Sequence, residues 1–189
     1  MIEFVRKAVL SGMLVGIGVV INTLAPDKVV GAILFSCALL MIIQLQLPLY
    51  TGKIGFVGET AAKKLAAMLG CNFVGAAVPV GMVAAVRVDF RELLVSAAAA
   101  KYEKGFLSMF ILGIMCGMMM FLAVYSKKTV IVIFCIMIFI LSGFEHCVAD
   151  FPYLLCVISL ENVGKLLCVA AGNTIGSIGI YYLSRSAEA

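Results

Sequence analysis

Six stretches of this chain carry one charged residue between them. They cover residues 8–25, 29–47, 65–86, 105–125, 129–141 and 163–183, and the exception is Lys165. About 20 apolar residues in a helix cross the hydrocarbon core of a bilayer. All six fall near that length once the second and fifth are continued across the interruptions that follow them. Only 13% of the residues are charged, about half the share usual in a soluble domain. Backbone polar groups in lipid must be satisfied within the chain, which leaves helices or closed barrels. The pattern predicts an all-α membrane protein. The net charge of +4 sits in the gaps between apolar runs, which fits membrane topology and speaks against nucleic acid as a partner. Seven cysteines lie along apolar runs without a CxxC or a His-rich tract, so they read as buried thiols, with no metal and no cofactor expected. Residues 1–7 form a short charged lead without the pattern of a cleaved signal.

The fifth run leads into Gly143, Phe144, Glu145, His146, Cys147, Val148, Ala149 and Asp150, with Phe151 and Pro152 beyond. His146 is the one histidine of the chain. A glycine opens this stretch and Pro152 is read as closing it, so the helix is expected to stop or unwind here. Ionisable groups at membrane depth are costly and face a cavity or partners. Broken backbone at that depth survives only where protein buries it or water lines it. A second break is expected at Pro48, Leu49, Tyr50, Thr51 and Gly52, after the second run.

Features recur at one spacing. Gly12-xxx-Gly16 matches Gly113-xxx-Gly117, and Asn72-xx-Gly75 matches Asn173-xx-Gly176, each 101 residues on. The expected fold is therefore six transmembrane helices as two inverted three-helix repeats, with helices 2 and 5 broken, an aquaporin-like hourglass. One transmembrane domain is expected over 1–189, with repeats at roughly 1–86 and 105–189 and a linker at 87–104. Three helices per unit is an odd number, so the copies are inverted and the site lies near the midplane between the breaks. With the N-terminus inside, eight of the 14 basic residues fall on the inner side and six outside. Both termini are thus expected to be cytoplasmic.

His146 is the leading candidate, because its side chain titrates nearest neutrality. The alternative is a histidine that only bonds a neighbouring helix. Thr51 and Tyr50 offer hydroxyls at the opposing break, for substrate or for freed backbone. Asn72 and Asn173 read as interhelical hydrogen-bond partners or as pore groups. Phe35, Leu39 and Phe139 are candidate apolar constrictions. Lys101 is either a snorkelling lysine or a vestibule charge that concentrates anions, at the end of a helical approach to the fourth run.

Gly143-Phe144-Glu145-His146-Cys147-Val148-Ala149, Leu49-Tyr50-Thr51-Gly52, Lys101 ahead of Phe106, and Gly172-Asn173-xx-Gly176 together resemble the formate/nitrite transporter family. The resemblance implies a homopentamer in the cell (inner or plasma) membrane, with a pore in each protomer for small weak-acid anions such as formate, nitrite, hydrosulfide, acetate or lactate. It places the family histidine at His146, with Glu145 beside it, the loop threonine at Thr51 and the vestibule lysine at Lys101. The narrowings fall at Phe35, Leu39, Leu49, Tyr50 and Phe139, with Asn72 and Asn173 near the site. Three positions depart from the family pattern: Asp150 and Gly117 stand where asparagine is usual, and Pro48 where an acidic residue is common. The expected mechanism is passage of the anion with a proton. The alternatives are a pore for neutral solutes, a non-transporting membrane subunit, and, least supported, an enzyme, since no nucleophile or metal set accompanies Glu145 and His146.

Overall fold

A computed structural model describes residues 1–186. Among these residues the ordered elements are helices alone: α1 (Ile2–Leu24), α2 (Lys28–Gln44), α3 (Tyr50–Lys53), α4 (Ala62–Val86), α5 (Val88–Tyr102), α6 (Phe106–Ser126), α7 (Thr129–Leu141), α8 (Cys147–Leu154) and α9 (Leu160–Ser186). Four of them, α1, α4, α6 and α9, are long and apolar enough to cross a membrane. With 17 and 13 residues, α2 and α7 fall short of the roughly 20 needed. Each is followed by a break and a short helix, α3 after α2 and α8 after α7.

Both breaks use the same local device. After α2 the chain turns through Gln46 at φ 52°, and Leu47 N–H donates to Ile42 O at 2.9 Å. After α7 it turns through Gly143 at φ 67°, and Phe144 N–H donates to Phe139 O at 2.9 Å. A left-handed residue with a bond back across five residues is a common way for a helix to end, and it satisfies carbonyls that would otherwise be bare. Glycine does this without strain and glutamine does not, which is why the first break is the harder one to see in the sequence. Pro152 does not close the second break. It lies inside α8, where only a short helix precedes it.

Helix pairs α1/α4 and α6/α9 approach until backbone touches backbone. A Cβ on Gly12 would stand 2.1 Å from Asn72 O, and one on Gly75 would stand 2.1 Å from Val9 O. Gly117 meets Asn173 O at 2.2 Å and Gly176 meets Ile114 O at 2.0 Å in the same way. Small residues permit this approach, and dispersion and interhelical hydrogen bonds hold it in lipid. The contacts correct the sequence register of α1 against α6. Asn72 and Asn173 are 101 residues apart, but their glycine partners, Gly12 and Gly117, are 105 apart. Gly12 thus plays the part of Gly117, one helical turn beyond Gly113.

The expected linker at 87–104 is mostly the helix α5. Phe90, Leu94, Ala98 and Tyr102 are its buried residues, spaced four apart on one face. Its N-terminal arginine and aspartate are paired, with Arg87 Nη2 2.5 Å from Asp89 Oδ2 at the exposed end. That partner holds the Asp89 carboxyl below its ordinary range. The helix carries Lys101 and Tyr102 back to α8. Large apolar side chains such as Val74, Met82, Leu107 and Leu167 stay more than half exposed on the outside, as lipid-facing residues do.

Candidate functional site

The two breaks face each other at Thr51 and His146. Thr51 Oγ1 lies 2.8 Å from His146 Nε2, and both residues are buried. The ring's other nitrogen, Nδ1, accepts the Ala149 N–H at 3.2 Å as the cap of α8. That bond fixes the tautomer. Nδ1 carries no hydrogen, so Nε2–H donates to Thr51 Oγ1. The threonine hydroxyl proton is then left for another acceptor.

Asn72 and Asn173 are not free for a substrate. Asn72 Oδ1 accepts Tyr50 N–H at 2.9 Å, and its amide donates to Pro48 O at 3.0 Å and Ala8 O at 2.8 Å. Asn173 Oδ1 accepts Cys147 N–H at 3.0 Å, and its amide donates to Glu145 O and Gly113 O, both at 2.8 Å. Each amide grips the residues on either side of one position, Leu49 in the first break and His146 in the second. Both side chains satisfy backbone freed at the breaks, in keeping with the reading of them as interhelical hydrogen-bond partners.

Two cavities lie along α2, one at its C-terminal end and one at its middle. The larger, about 400 Å³, is lined by Leu39 and Leu49 with Gly52, Lys53, Val124 and Lys127. The smaller, about 110 Å³, is lined by Phe35, Phe139 and His146 with Lys101, Asp150 and Tyr153. Phe35 and Leu39 are one turn apart on the same helix, so the cavities approach within a turn of each other. Phe35 and Phe139 meet edge to face at 5.9 Å, and Phe139 stacks beside the His146 ring at 5.9 Å. Tyr50 is not brought into this set. Its hydroxyl turns to α9, 2.8 Å from Thr174 Oγ1.

Lys101 reaches the smaller cavity, but not as a lone charge. Its Nζ pairs with Glu145 Oε2 and lies 3.0 Å from Asp150 Oδ1. Lys104 Nζ holds the other Glu145 oxygen at 2.9 Å. Glu145 is fully buried and is the counter-ion of both lysines. Its cost of burial is met by two cations and by the rigid loop that Asn173 pins. Lys104 was missed by sequence reasoning, although it sits one turn after Lys101 on the same approach. Asp150 was visible only as a departure from pattern. Its carboxylate is buried against Lys101 and is not an exposed charge that repels anions.

The arrangement can be compared with known proteins. A family model described as formate/nitrite transporter matches residues 1–185. One solved structure, an FNT family ion channel, superposes with a TM-score of 0.82 at 22% identity over all of this chain and 90% of that one. Another, a pentameric formate channel with formate bound, gives 0.79 at 20% identity over 97% of this chain and 96% of that one. No curated protein matches in sequence. Identities this low carry the fold alone, but the family match spans nearly every residue, including both breaks and the histidine between them, and so the chain belongs to the formate/nitrite transporter family.

Proposed function

We propose that the protein passes a small monovalent weak-acid anion of the formate, nitrite, hydrosulfide, acetate or lactate class, together with a proton. The passage runs through each protomer between the two cavities. The observation that carries this reading is the Thr51–His146 pair, a polar contact set between apolar narrowings at Phe35 and Phe139 on one side and Leu39 and Leu49 on the other. The N-terminal end of α8 at His146 adds partial positive charge at the same depth.

Magnitudes decide the form in which the substrate crosses. An ion moved into low dielectric costs on the order of 20 kcal/mol in an idealised estimate. Protonating an acid of pKa ~3.5 at pH 7 costs about 5 kcal/mol. Passage as the neutral acid is the lower route through the phenylalanine and leucine barriers. In this reading Thr51 donates its free hydroxyl proton to the substrate oxygen as a hydrogen bond, and His146 holds Thr51 in that orientation. An added proton on Nδ1 would face the Ala149 N–H, so His146 acts as a neutral donor through Nε2 and not as the source of the proton.

The matched clamps at Asn72 and Asn173 support two inverted repeats, near 1–86 and 105–189, joined through 87–104, with breaks in the second and fifth spans. The family and the pentameric relative support a homopentamer in a cell membrane. The basic residues support an N-in, C-in orientation.

Uptake of formate, nitrite, acetate and lactate into proteoliposomes at two external pH values tests the reading. Uptake is expected to rise at the lower pH. Rates indifferent to pH would instead favour a neutral-solute pore, and an intact assembly with no flux would favour an accessory subunit. Thr51→Val is expected to cut uptake about two- to tenfold with assembly unchanged, because one hydrogen bond to a neutral group contributes about 0.5–1.5 kcal/mol. Full uptake by this variant would remove Thr51 from the passage.

A further inference from the structure

The proposed reading needs a proton at the cavity that holds Lys101, and His146 does not supply it. The inference below rests on that reading and names the group that does. Asp150 is 2% exposed and lines the smaller cavity with Lys101 and His146. Its Oδ1 lies 3.0 Å from Lys101 Nζ. Its Oδ2 is buried with no hydrogen-bond partner. Lys101 Nζ is shared with the Glu145 carboxylate, which also accepts from Lys104, so the two carboxylates stand against one cation. Two carboxylates against one cation repel when both are ionised, and one proton between them removes the repulsion.

The remaining groups around Asp150 do not take this part. On α5, the Tyr102 hydroxyl donates to the Asp150 backbone oxygen at 3.3 Å. On α8, Tyr153 hydroxyl is 3.1 Å from Thr23 of α1, and Cys147 gives its backbone N–H to Asn173. Cys116 approaches from α6 as a buried thiol. From α9, Lys165 is turned to Tyr102 O at 2.7 Å.

Charge balance gives the arrangement its consequence. Two lysines and two carboxylates cancel while both acids are ionised. A single added proton leaves one uncompensated positive charge, on the residue that lines the cavity. An anion is therefore attracted in the protonated state and not in the ionised one.

We infer that Asp150 is the proton-binding residue of this entrance, and that it couples the arrival of the anion to the uptake of one proton. A proton from water adds to an Asp150 oxygen. A weak-acid anion then settles beside Lys101. The Asp150 O–H bond breaks as an O–H bond to the anion forms. The neutral acid moves past Phe35 and Phe139, and Asp150 is left ionised for the next proton. One proton crosses with each anion and no group is consumed.

The experiment is formate uptake by the assembled protein in proteoliposomes, as wild type, Asp150→Asn and Asp150→Glu, with KM measured across external pH. In the wild type, KM is expected to rise with pH. In Asp150→Asn the maximal rate is expected to fall at least tenfold at every pH, because no proton is handed to the anion, while the KM of the residual uptake stays flat and lies about tenfold lower at the alkaline end, because Lys101 keeps its uncompensated charge. Asp150→Glu is expected to retain a pH-dependent KM with a displaced midpoint. A second readout needs no transport: infrared difference spectra on adding nitrite, which has no carboxyl of its own. The wild type is expected to show a protonated-carboxyl band that Asp150→Asn lacks. Equal KM profiles in wild type and Asp150→Asn, or no carboxyl band in the wild type, would overturn the inference. A band in a wild type that carries no weak acid would sink the transport reading and leave the proton site standing.

Discussion

Asn173→Ala is expected to lower stability by about 2–6 kcal/mol and to abolish uptake. The amide of Asn173 is the partner of Cys147 N–H and Glu145 O, the backbone groups on either side of His146. Glu145 lies in the unwound part of the chain and Cys147 at the first position of α8, where no helix supplies another partner. A buried polar group left without its partner costs about 1–3 kcal/mol, and two are stranded here. The third bond, to Gly113 O, is lost as well, and with it a tie between α6 and α9. The loop would then relax, and His146 would leave Thr51. Thermal unfolding of the purified protein in detergent measures the first effect and proteoliposome uptake the second. A variant that melts with the wild type would show that the loop is held by packing alone. Asn173→Asp keeps an acceptor for Cys147 N–H but turns a buried carboxylate oxygen toward two carbonyl oxygens, so it is expected to be at least as damaging as alanine.

Gly176→Leu is expected to be the most damaging single change away from the passage. The first atom of any side chain there would stand 2.0 Å from Ile114 O. That neighbour is backbone and cannot rotate aside. Overpacking in a core usually costs about 1–3 kcal/mol, where side chains can shift. Here α6 and α9 must separate along their length, so the loss is expected to exceed that range and to appear as failed assembly. The yield of the assembled species on size exclusion reads it directly. Gly179→Leu, three residues on, is the control, since a Cβ there meets nothing within 4 Å and is expected to be tolerated. Equal yields for the two variants would mean that the α6/α9 approach is looser than the backbone contacts indicate.

The apolar helices and the positions of both breaks were legible in the sequence because they depend on local properties. Apolar runs report membrane depth, and Gly143 followed by ionisable residues reports a helix that ends there. The pairing of Asn72 with Asn173 was legible too, through their shared glycine spacing. The register of their partners was not. The sequence offered Gly113 as the counterpart of Gly12, and both glycines fit a small-residue stripe. Which turn of α6 faces Asn173 is settled by how two helices slide along each other, and four-residue steps preserve the stripe, so the pattern is blind to the choice.

The candidate site divides in the same way. The residues themselves marked His146 and Thr51 as partners across the two breaks, with Phe35 and Phe139 beside the histidine, since the breaks that carry the pair are coded locally. Only the tertiary structure decided what the charges do. Lys101 is separated from Glu145 by 44 positions and from Asp150 by 49, and no local pattern tells a lysine on α5 which carboxylates it will meet. The physical reason is that helix ends are set by short-range hydrogen bonding, whereas an ion pair is set by where two elements come to rest.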